Sequence, residues 1–143
     1  MLDLDAGAAT LVSAGHPPPM LLVGDAVSLV PVPPGTPLGL SGTRDVITLA
    51  LPESATLLLY SDGLIEHRAR SLTDGFEALL TAARSTPART GLEEWLDALI
   101  HAMLPGSGQD DDVTLLAARI TAADPADQPP DQPPDQPPGT AVR

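Results

Sequence analysis

The sequence predicts an α+β fold, and three observations lead to this prediction. Short apolar runs separated by turn residues fill the first 60 positions, a pattern typical of strands in antiparallel sheets. Two stretches with helical spacing of apolar residues follow between positions 73 and 103. One more apolar run then precedes a proline-rich end. Because the helices come after the strands and do not alternate with them, we do not expect a βαβ arrangement.

Five strands are predicted before the helices, and each is bounded by glycine, proline or polar turn residues. They cover residues 11–14, 20–23, 27–32, 46–51 and 56–60. The segment 33–39 contains three prolines and two glycines, so it is predicted to be a loop.

Both predicted helices place apolar residues at i, i+3, i+4 and i+7 along one face. The first begins near residue 73 or 74 and has the apolar residues Phe76, Leu79, Leu80 and Ala83; the second has Leu92, Trp95, Leu96, Leu99 and Met103. Thr90 and Glu93 have the spacing of a capping box, and Pro105 supplies a stop for the second helix.

The end of the chain divides into a strand and a tail. Residues 113–120 form an apolar run bounded by turn residues, which is typical of a central strand. Residues 122–143 hold seven of the 17 prolines, and Asp-Gln-Pro-Pro occurs three times within 127–138. Such a segment has few side chains to bury, so we predict a disordered tail after a domain of residues 1–121.

Composition limits the classes of protein to which the chain can belong. The 143 residues suffice for one domain, and 43% of them are hydrophobic although only 2% are aromatic. Nineteen acidic and seven basic residues give a net charge of −12, which argues against nucleic-acid or membrane partners. No cysteine is present, so disulfides and thiolate chemistry are excluded. Without a membrane-length apolar run or a basic leader, we expect a cytoplasmic protein.

Two acidic clusters lie where a predicted strand meets a loop. Asp62 and Gly63 follow the buried run 57–60, and three aspartates at 110–112 precede the last strand. Each cluster alone is more simply a turn, because Asp-Gly is a common turn dipeptide. Together they suggest a site for a hard cation such as Mg²⁺ or Mn²⁺, which prefers carboxylate oxygens. In an extended segment Asp111 points away from its two neighbours, and the spacing does not decide which face meets Asp62.

Four motifs occur in a characteristic order: Ala14–Pro19 (AGHPPP), Gly35–Gly39 (GTPLG), Leu58–Glu66 (LLYSDGLIE) and Asp111–Leu116 (DDVTLL). This succession resembles the PPM-type metal-dependent protein serine/threonine phosphatases, in the branch typified by stage II sporulation protein E (SpoIIE). The resemblance implies part of an αββα sandwich, two antiparallel sheets flanked by helices. It also implies two Mg²⁺ or Mn²⁺ ions and a water nucleophile that hydrolyses phosphoserine or phosphothreonine on a protein.

The resemblance assigns roles to individual residues. It makes Asp62 and Asp111 metal ligands, with Asp112 and Gly63 supporting them; no residue is assigned as catalytic. Two interpretations of His16 remain open. It is either the general acid that protonates the leaving serine oxygen or an element of a loop, and the second interpretation is the simpler.

One departure from the family concerns the early strand. Family members begin with about a hundred residues that include an Asp-Gly motif whose aspartate bridges both metals. The only Asp-Gly pairs here are Asp62-Gly63 and Asp74-Gly75, and the second is a poor substitute because it is predicted to open a helix. Only the C-terminal half of the family pattern is therefore present, with the N-terminal strands missing. We expect Asp62 and Asp111 to hold one ion weakly, and we expect Met1 to be an internal start or the chain to be a split domain. Unpaired sheet edges would then favour self-association.

Two functions remain open on the sequence. The first is a protein phosphatase, incomplete as given, that acts on a phosphorylated regulatory protein such as an anti-sigma factor antagonist. The alternative is a non-catalytic pseudophosphatase, a binding module in sigma-factor partner switching. The missing Asp-Gly motif leaves it undecided whether the chain is an enzyme.

Overall fold

A computed structural model describes residues 1–66, 70–86, 91–104 and 112–121, and it confirms the α+β class. The strands are β1 (Leu2–Asp3), β2 (Ala8–Leu11), β3 (Met20–Val23), β4 (Ala26–Leu29), β5 (Ile47–Ala50), β6 (Thr56–Tyr60) and β7 (Leu115–Arg119). The helices are α1 (Leu72–Ser85) and α2 (Leu92–Met103), and a single 3₁₀ turn over Asp62–Leu64 follows β6. None of the described helices is long and apolar enough to cross a bilayer.

The strands form two antiparallel sheets. The first sheet has the order β1-β2-β5 and the second has the order β4-β3-β6-β7. In the second sheet Met20 pairs with Leu58 and Tyr60 pairs with Leu115, so β3 and β7 lie on either side of β6. The prediction of a central strand at 113–120 is wrong for the described residues, because β7 ends the strand order and Leu116 is 63% exposed.

Both helices pack on one face of the second sheet. Alternation along β6 points Leu58 and Tyr60 toward the helices, where they meet Trp95 and Leu99 in one buried cluster. Its members are Met20, Leu22, Val27, Leu58, Tyr60, Leu64, Ile65, Leu79, Ala83, Trp95, Leu99 and Met103. Each fully buried leucine contributes about 1.5–3 kcal/mol to stability, so this layer fixes β6 and the turn that follows it.

The other face of the second sheet is turned toward the first sheet. Leu57, which alternates with Leu58, is only 5% exposed. A cavity of about 290 Å³ is lined by Leu11 of the first sheet and by Leu59 of the second, together with Val32 from the segment after β4. The described residues thus form three layers, which are the first sheet, the second sheet and the helix pair.

Several strand boundaries differ from the sequence prediction: β4 was predicted over 27–32 and covers Ala26–Leu29, and β5 and β7 are each shorter than predicted. Residues 11–14 were predicted as a strand, but β2 ends at Leu11 and begins at Ala8, where it pairs with Ala50 of β5. The Ser13 hydroxyl donates a hydrogen bond to the His16 carbonyl oxygen at 3.1 Å, which helps to bend the chain after β2. The two-residue strand β1 was not predicted, because its pairing with β2 is a tertiary contact of a very short segment.

The helix starts also differ. Helix α1 begins at Leu72 because the Ser71 hydroxyl accepts the Asp74 N–H at 3.2 Å and donates to Asp74 Oδ2 at 2.7 Å. Helix α2 begins at Leu92 with Gly91 as its N-cap, and the predicted capping box is untested because it needs Thr90. Thr90 and Pro105 lie outside the described residues, as does the predicted tail of residues 122–143.

Candidate functional site

Asp62 follows Ser61 at the end of β6 and begins a turn that is held by hydrogen bonds and by buried side chains. Its carbonyl oxygen accepts hydrogen bonds of 2.8 Å from both the Ile65 and the Glu66 N–H groups. Leu64 and Ile65 are 0% exposed and anchor this turn in the core. The Asp62 side chain is exposed, and its Oδ1 accepts the N–H of the buried Gly63 at 3.0 Å. A carboxylate therefore projects to solvent from a backbone that has little freedom to move.

The start of helix α1 supports the same turn. The Arg70 guanidinium donates to the carbonyl oxygens of Leu64 and Ile65 at 3.4 and 3.2 Å. Gly75 packs so closely against the Ile65 carbonyl that a methyl group at this position would overlap its oxygen. The pair Asp74-Gly75 is thus a helix cap and a packing contact, as its place at a helix start predicted.

Ser61 joins the Asp62 turn to the segment that leads into β7. Its N–H donates to the Thr114 carbonyl at 3.0 Å, and its hydroxyl accepts the Thr114 N–H at 2.9 Å. The same hydroxyl donates to the Asp112 carbonyl at 3.0 Å. The structure therefore brings Asp62 and Asp112 to the same end of the second sheet. Asp110 and Asp111 lie outside the described residues, so the predicted ligand Asp111 is not placed.

The His-Pro turn before β3 lies at this end of the sheet as well. The Tyr60 hydroxyl donates to the Pro18 carbonyl at 2.8 Å, and burial raises the Tyr60 pKa above its usual value of 10. His16 is exposed, and its Nδ1 lies 2.7 Å from the Pro17 carbonyl oxygen. Because a carbonyl oxygen only accepts, Nδ1 is the donor, and Nε2 carries the lone pair of the neutral ring.

The residues present fit part of a divalent-cation site. An exposed carboxylate on a fixed backbone, with oxygen as its donor atom, suits Mg²⁺ or Mn²⁺ and their retained waters. Within the described ranges, however, no three acidic, histidine or cysteine side chains cluster closely enough to hold a metal ion. The described part of the chain thus offers Asp62 as a ligand, without a complete set.

Sequence reasoning missed the residues that organise this end of the sheet. Ser61, Tyr60 and Arg70 had no assigned role, although each makes a hydrogen bond to a loop beside Asp62 or to its turn. The only local signal was a serine between a strand and an Asp-Gly pair. Its partners Asp112 and Thr114 are more than 50 positions away, and only the pairing of β6 with β7 brings them close.

Comparison with known proteins identifies the family. The family model of stage II sporulation protein E (SpoIIE) matches residues 1–121. The structure of the RsbU and RsbW domains of Rv1364c from Mycobacterium tuberculosis is 31% identical, with a TM-score of 0.76, over 86% of this chain and 35% of that one.

Two structures of the cell fate determinant SpoIIE from Bacillus subtilis are similar in fold. Its phosphatase domain is 20% identical with a TM-score of 0.67, over 88% of this chain and 55% of that one. Its PP2C phosphatase domain with a fragment of the regulatory domain is 21% identical with a TM-score of 0.69, over 83% of this chain and 36% of that one. The present chain spans about a third to a half of the length of these solved chains. Its fold is that of part of a PP2C-type phosphatase domain, and the chain belongs to the SpoIIE family.

Proposed function

We propose that this chain contributes the Asp62 end of a metal-dependent phosphatase site that hydrolyses phosphoserine or phosphothreonine on a regulatory protein. The observation that supports it most is the Ser61 contact, which holds the Asp62 turn beside the segment entering β7. In this proposal Asp62 and Asp111 ligate Mg²⁺ or Mn²⁺, while Gly63 and Asp112 support them through the backbone. Residues 1–121 form the phosphatase portion, and residues 122–143 form a separate tail.

The chain's own residues would fix and orient the ligands. The turn below Asp62 is held by the Arg70 guanidinium and by the buried side chains of Leu64 and Ile65. When bound, a pair of divalent ions supplies Lewis-acid stabilisation of phosphoryl charge and a water that is more readily deprotonated. An exposed carboxylate that moves little on binding loses little entropy when it binds a cation, so a rigid turn favours affinity.

Activity in this proposal requires further ligands. The described residues do not supply three clustered acidic, histidine or cysteine side chains, and two close divalent ions repel strongly unless carboxylates bridge them. We therefore propose that a segment with the family's early Asp-Gly motif completes the site. The outer strands β1, β5, β4 and β7 end the two described strand orders, and we propose that such a segment, or a second copy of the chain, pairs with one of them.

The proposed substrate is a phosphorylated regulatory protein, for example an anti-sigma factor antagonist. The 31%-identical neighbour contains an RsbU and an RsbW domain in one structure. This arrangement supports a place in partner-switching signalling, in which a phosphatase and its regulators act on a shared protein.

A second candidate is a non-catalytic module that binds a phosphoprotein without hydrolysing it. The described residues contain no cluster of three acidic, histidine or cysteine side chains, which is what this function predicts for them. It predicts no bound divalent ion even when the missing family strands are supplied.

A fusion experiment separates the two candidates. The 143-residue chain is assayed alone and fused behind the first half of the RsbU domain of Rv1364c, with p-nitrophenyl phosphate and a phosphoserine protein as substrates. We expect Mn²⁺-dependent hydrolysis by the fusion and little by the chain alone. A fusion that folds but binds no Mn²⁺ at millimolar concentration would support the binding module instead.

A further inference from the structure

The loop between β4 and β5 presents two leucines to solvent at its tip. Leu38 is 82% exposed and Leu40 is 63% exposed. The Pro37 carbonyl oxygen accepts hydrogen bonds from the Leu40 N–H at 3.3 Å and from the Arg44 guanidinium at 2.9 Å. The glycine between the two leucines has a φ of +87°, a left-handed conformation that suits a tight turn. We call residues 37–40 the leucine turn.

Close packing braces the loop beneath the leucine turn. Gly35 lies so near the Ser13 carbonyl oxygen that a methyl group at this position would overlap it, and Gly42 lies equally close to the Thr36 hydroxyl. The backbone under the turn therefore has little room to rearrange and bury the leucines. Large apolar side chains that a fixed backbone presents together to solvent are typical of protein-binding surfaces.

The leucine turn lies at the same end of the molecule as Asp62. Pro37 is next to Gly15 of the His-Pro turn, where a methyl group would meet the Pro37 ring at 3.5 Å. The register of β3 with β6 places Met20 opposite Leu58, so the His-Pro turn before Met20 runs beside the residues that follow Leu58. A protein that brings a phosphorylated residue to Asp62 therefore approaches the end of the molecule that carries the leucine turn.

The distribution of charge favours a phosphoprotein at this surface. The chain has 19 acidic residues, yet residues 6–44 carry only two formal charges, on Asp25 and Arg44. Asp25 lies between β3 and β4, at the far end of β3 from the His-Pro turn, and the charge of Asp45 offsets that of Arg44. A phosphoserine, with a charge of about −1.5 to −2, is repelled least where the surface has no net negative charge. A second copy of the chain would bring a net charge of −12 to the same place, which disfavours it as the occupant.

We propose that Leu38 and Leu40 dock the phosphorylated regulatory protein by burying apolar side chains that flank its phosphoserine. This inference rests on the proposed function, since it assigns a substrate contact beside the same site. The leucines hold the substrate segment and take no part in hydrolysis. They therefore act on substrates that extend beyond the phosphoryl group and not on a small ester such as p-nitrophenyl phosphate.

The kinetic test uses the RsbU fusion with Mn²⁺ and a set of phosphoserine peptides in which a pair of leucines is moved stepwise away from the phosphoserine. With the best peptide, we expect Leu38→Ser and Leu40→Ser combined, the double variant, to lower kcat/KM at least about tenfold, because two leucines are no longer buried. Hydrolysis of p-nitrophenyl phosphate should stay unchanged. Changing the peptide's leucines to serine should lower kcat/KM in the wild type and have little further effect in the double variant.

A binding measurement on the full 143-residue chain needs no catalysis. The affinity of the same peptide, labelled with a fluorophore and followed by anisotropy, should fall in the double variant by a similar factor. Leu4→Ser is the matched control, because Leu4 is 69% exposed in the turn between β1 and β2, at the other end of β2 from the His-Pro turn. It should leave both kcat/KM and affinity unchanged.

Three outcomes would separate this proposal from its alternatives. Equal kcat/KM and equal peptide affinity in the wild type and the double variant would overturn the docking role and leave the proposed function standing. A fusion that hydrolyses neither substrate would overturn the proposed function, whereas peptide binding that the double variant loses would still support docking by the leucines. A chain that sediments as a dimer, and as a monomer in the double variant, would show that a second copy covers the leucines and would overturn the proposal.

Discussion

The buried hydroxyl of Tyr60 donates a hydrogen bond of 2.8 Å to the main-chain carbonyl of Pro18, 42 positions earlier. The bond connects the strand that ends beside Asp62 to the His-Pro turn that precedes β3. Tyr60 is 1% exposed, so little water can replace this partner when the hydroxyl is removed. The contact gives a structural role to the single tyrosine of the chain, which follows three leucines at the end of β6.

Tyr60→Phe is expected to lower the free energy of unfolding by about 1 kcal/mol, because it removes one hydrogen bond and keeps the ring in the core. Urea unfolding followed by Trp95 fluorescence measures the change, since the single tryptophan is fully buried. An unchanged free energy of unfolding would mean that the Pro18 carbonyl finds another donor at no cost.

The same residue predicts a loss of stability at alkaline pH. Burial raises the Tyr60 pKa in the folded chain, whereas the unfolded chain releases this proton near pH 10. The unfolded state therefore binds fewer protons above pH 10, and the free energy of unfolding falls as pH rises. Below pH 10 the contribution of Tyr60 is fully present. Unfolding curves between pH 9 and 11 should show this decline in wild type and a shallower one in Tyr60→Phe.

Gly75→Ala tests the packing of α1 under the Asp62 turn. Alanine in a helix ordinarily stabilises by about 0.5–1 kcal/mol relative to glycine. Here the added methyl group would overlap the Ile65 carbonyl oxygen, so we expect a loss of about 1–3 kcal/mol instead. Glu77→Ala, at an exposed position of the same helix, is the control and should change stability by less than about 0.5 kcal/mol. A more stable Gly75→Ala chain would show that α1 does not lie against this turn.

Asp62→Asn tests whether Asp62 is a metal ligand. The comparison is with Asp74, the aspartate of the other Asp-Gly pair in the chain. The amide keeps the size of the side chain but removes the charge, so we expect at least a tenfold loss of Mn²⁺ affinity and of phosphatase activity in the RsbU fusion. Asp74→Asn is the matched control, because the Asp74 carboxylate accepts the hydroxyl of the N-cap residue Ser71 in the first turn of α1 and should not contribute to metal binding. Activity that survives Asp62→Asn would refute the assignment of Asp62 as a ligand.

Much of the fold could be predicted from local patterns, because strands such as Thr56–Tyr60 and helices such as Leu92–Met103 have strong periodicity. Strand boundaries that depend on tertiary contacts could not be predicted from local patterns. The strand β2 extends only where β5 pairs with it, and β1 is two residues long. The edge position of β7 also escaped prediction, since an apolar run does not tell how many neighbours a strand has.

The sequence predicted Asp62 as a ligand of the candidate site, but it did not predict the hydrogen bonds that hold the segments around it. Asp62 stood out as a carboxylate before glycine at the end of a buried strand, and the structure places it on a fixed turn. The role of Ser61 depends on backbone groups of Asp112 and Thr114, which no local pattern connects to it. Asp111 stays a prediction, because it lies outside the described residues.

A titration of the ¹⁵N-labelled chain with Mn²⁺, followed by paramagnetic broadening of backbone amide signals, tests most directly whether the two acidic segments share one cation. We expect the signals of residues 61–64 and of residues 111–114 to broaden together at the same Mn²⁺ concentration, and both to stay sharp in Asp62→Asn. Broadening of one segment without the other, or broadening spread over acidic positions such as Glu93 and Glu94, would contradict a shared site.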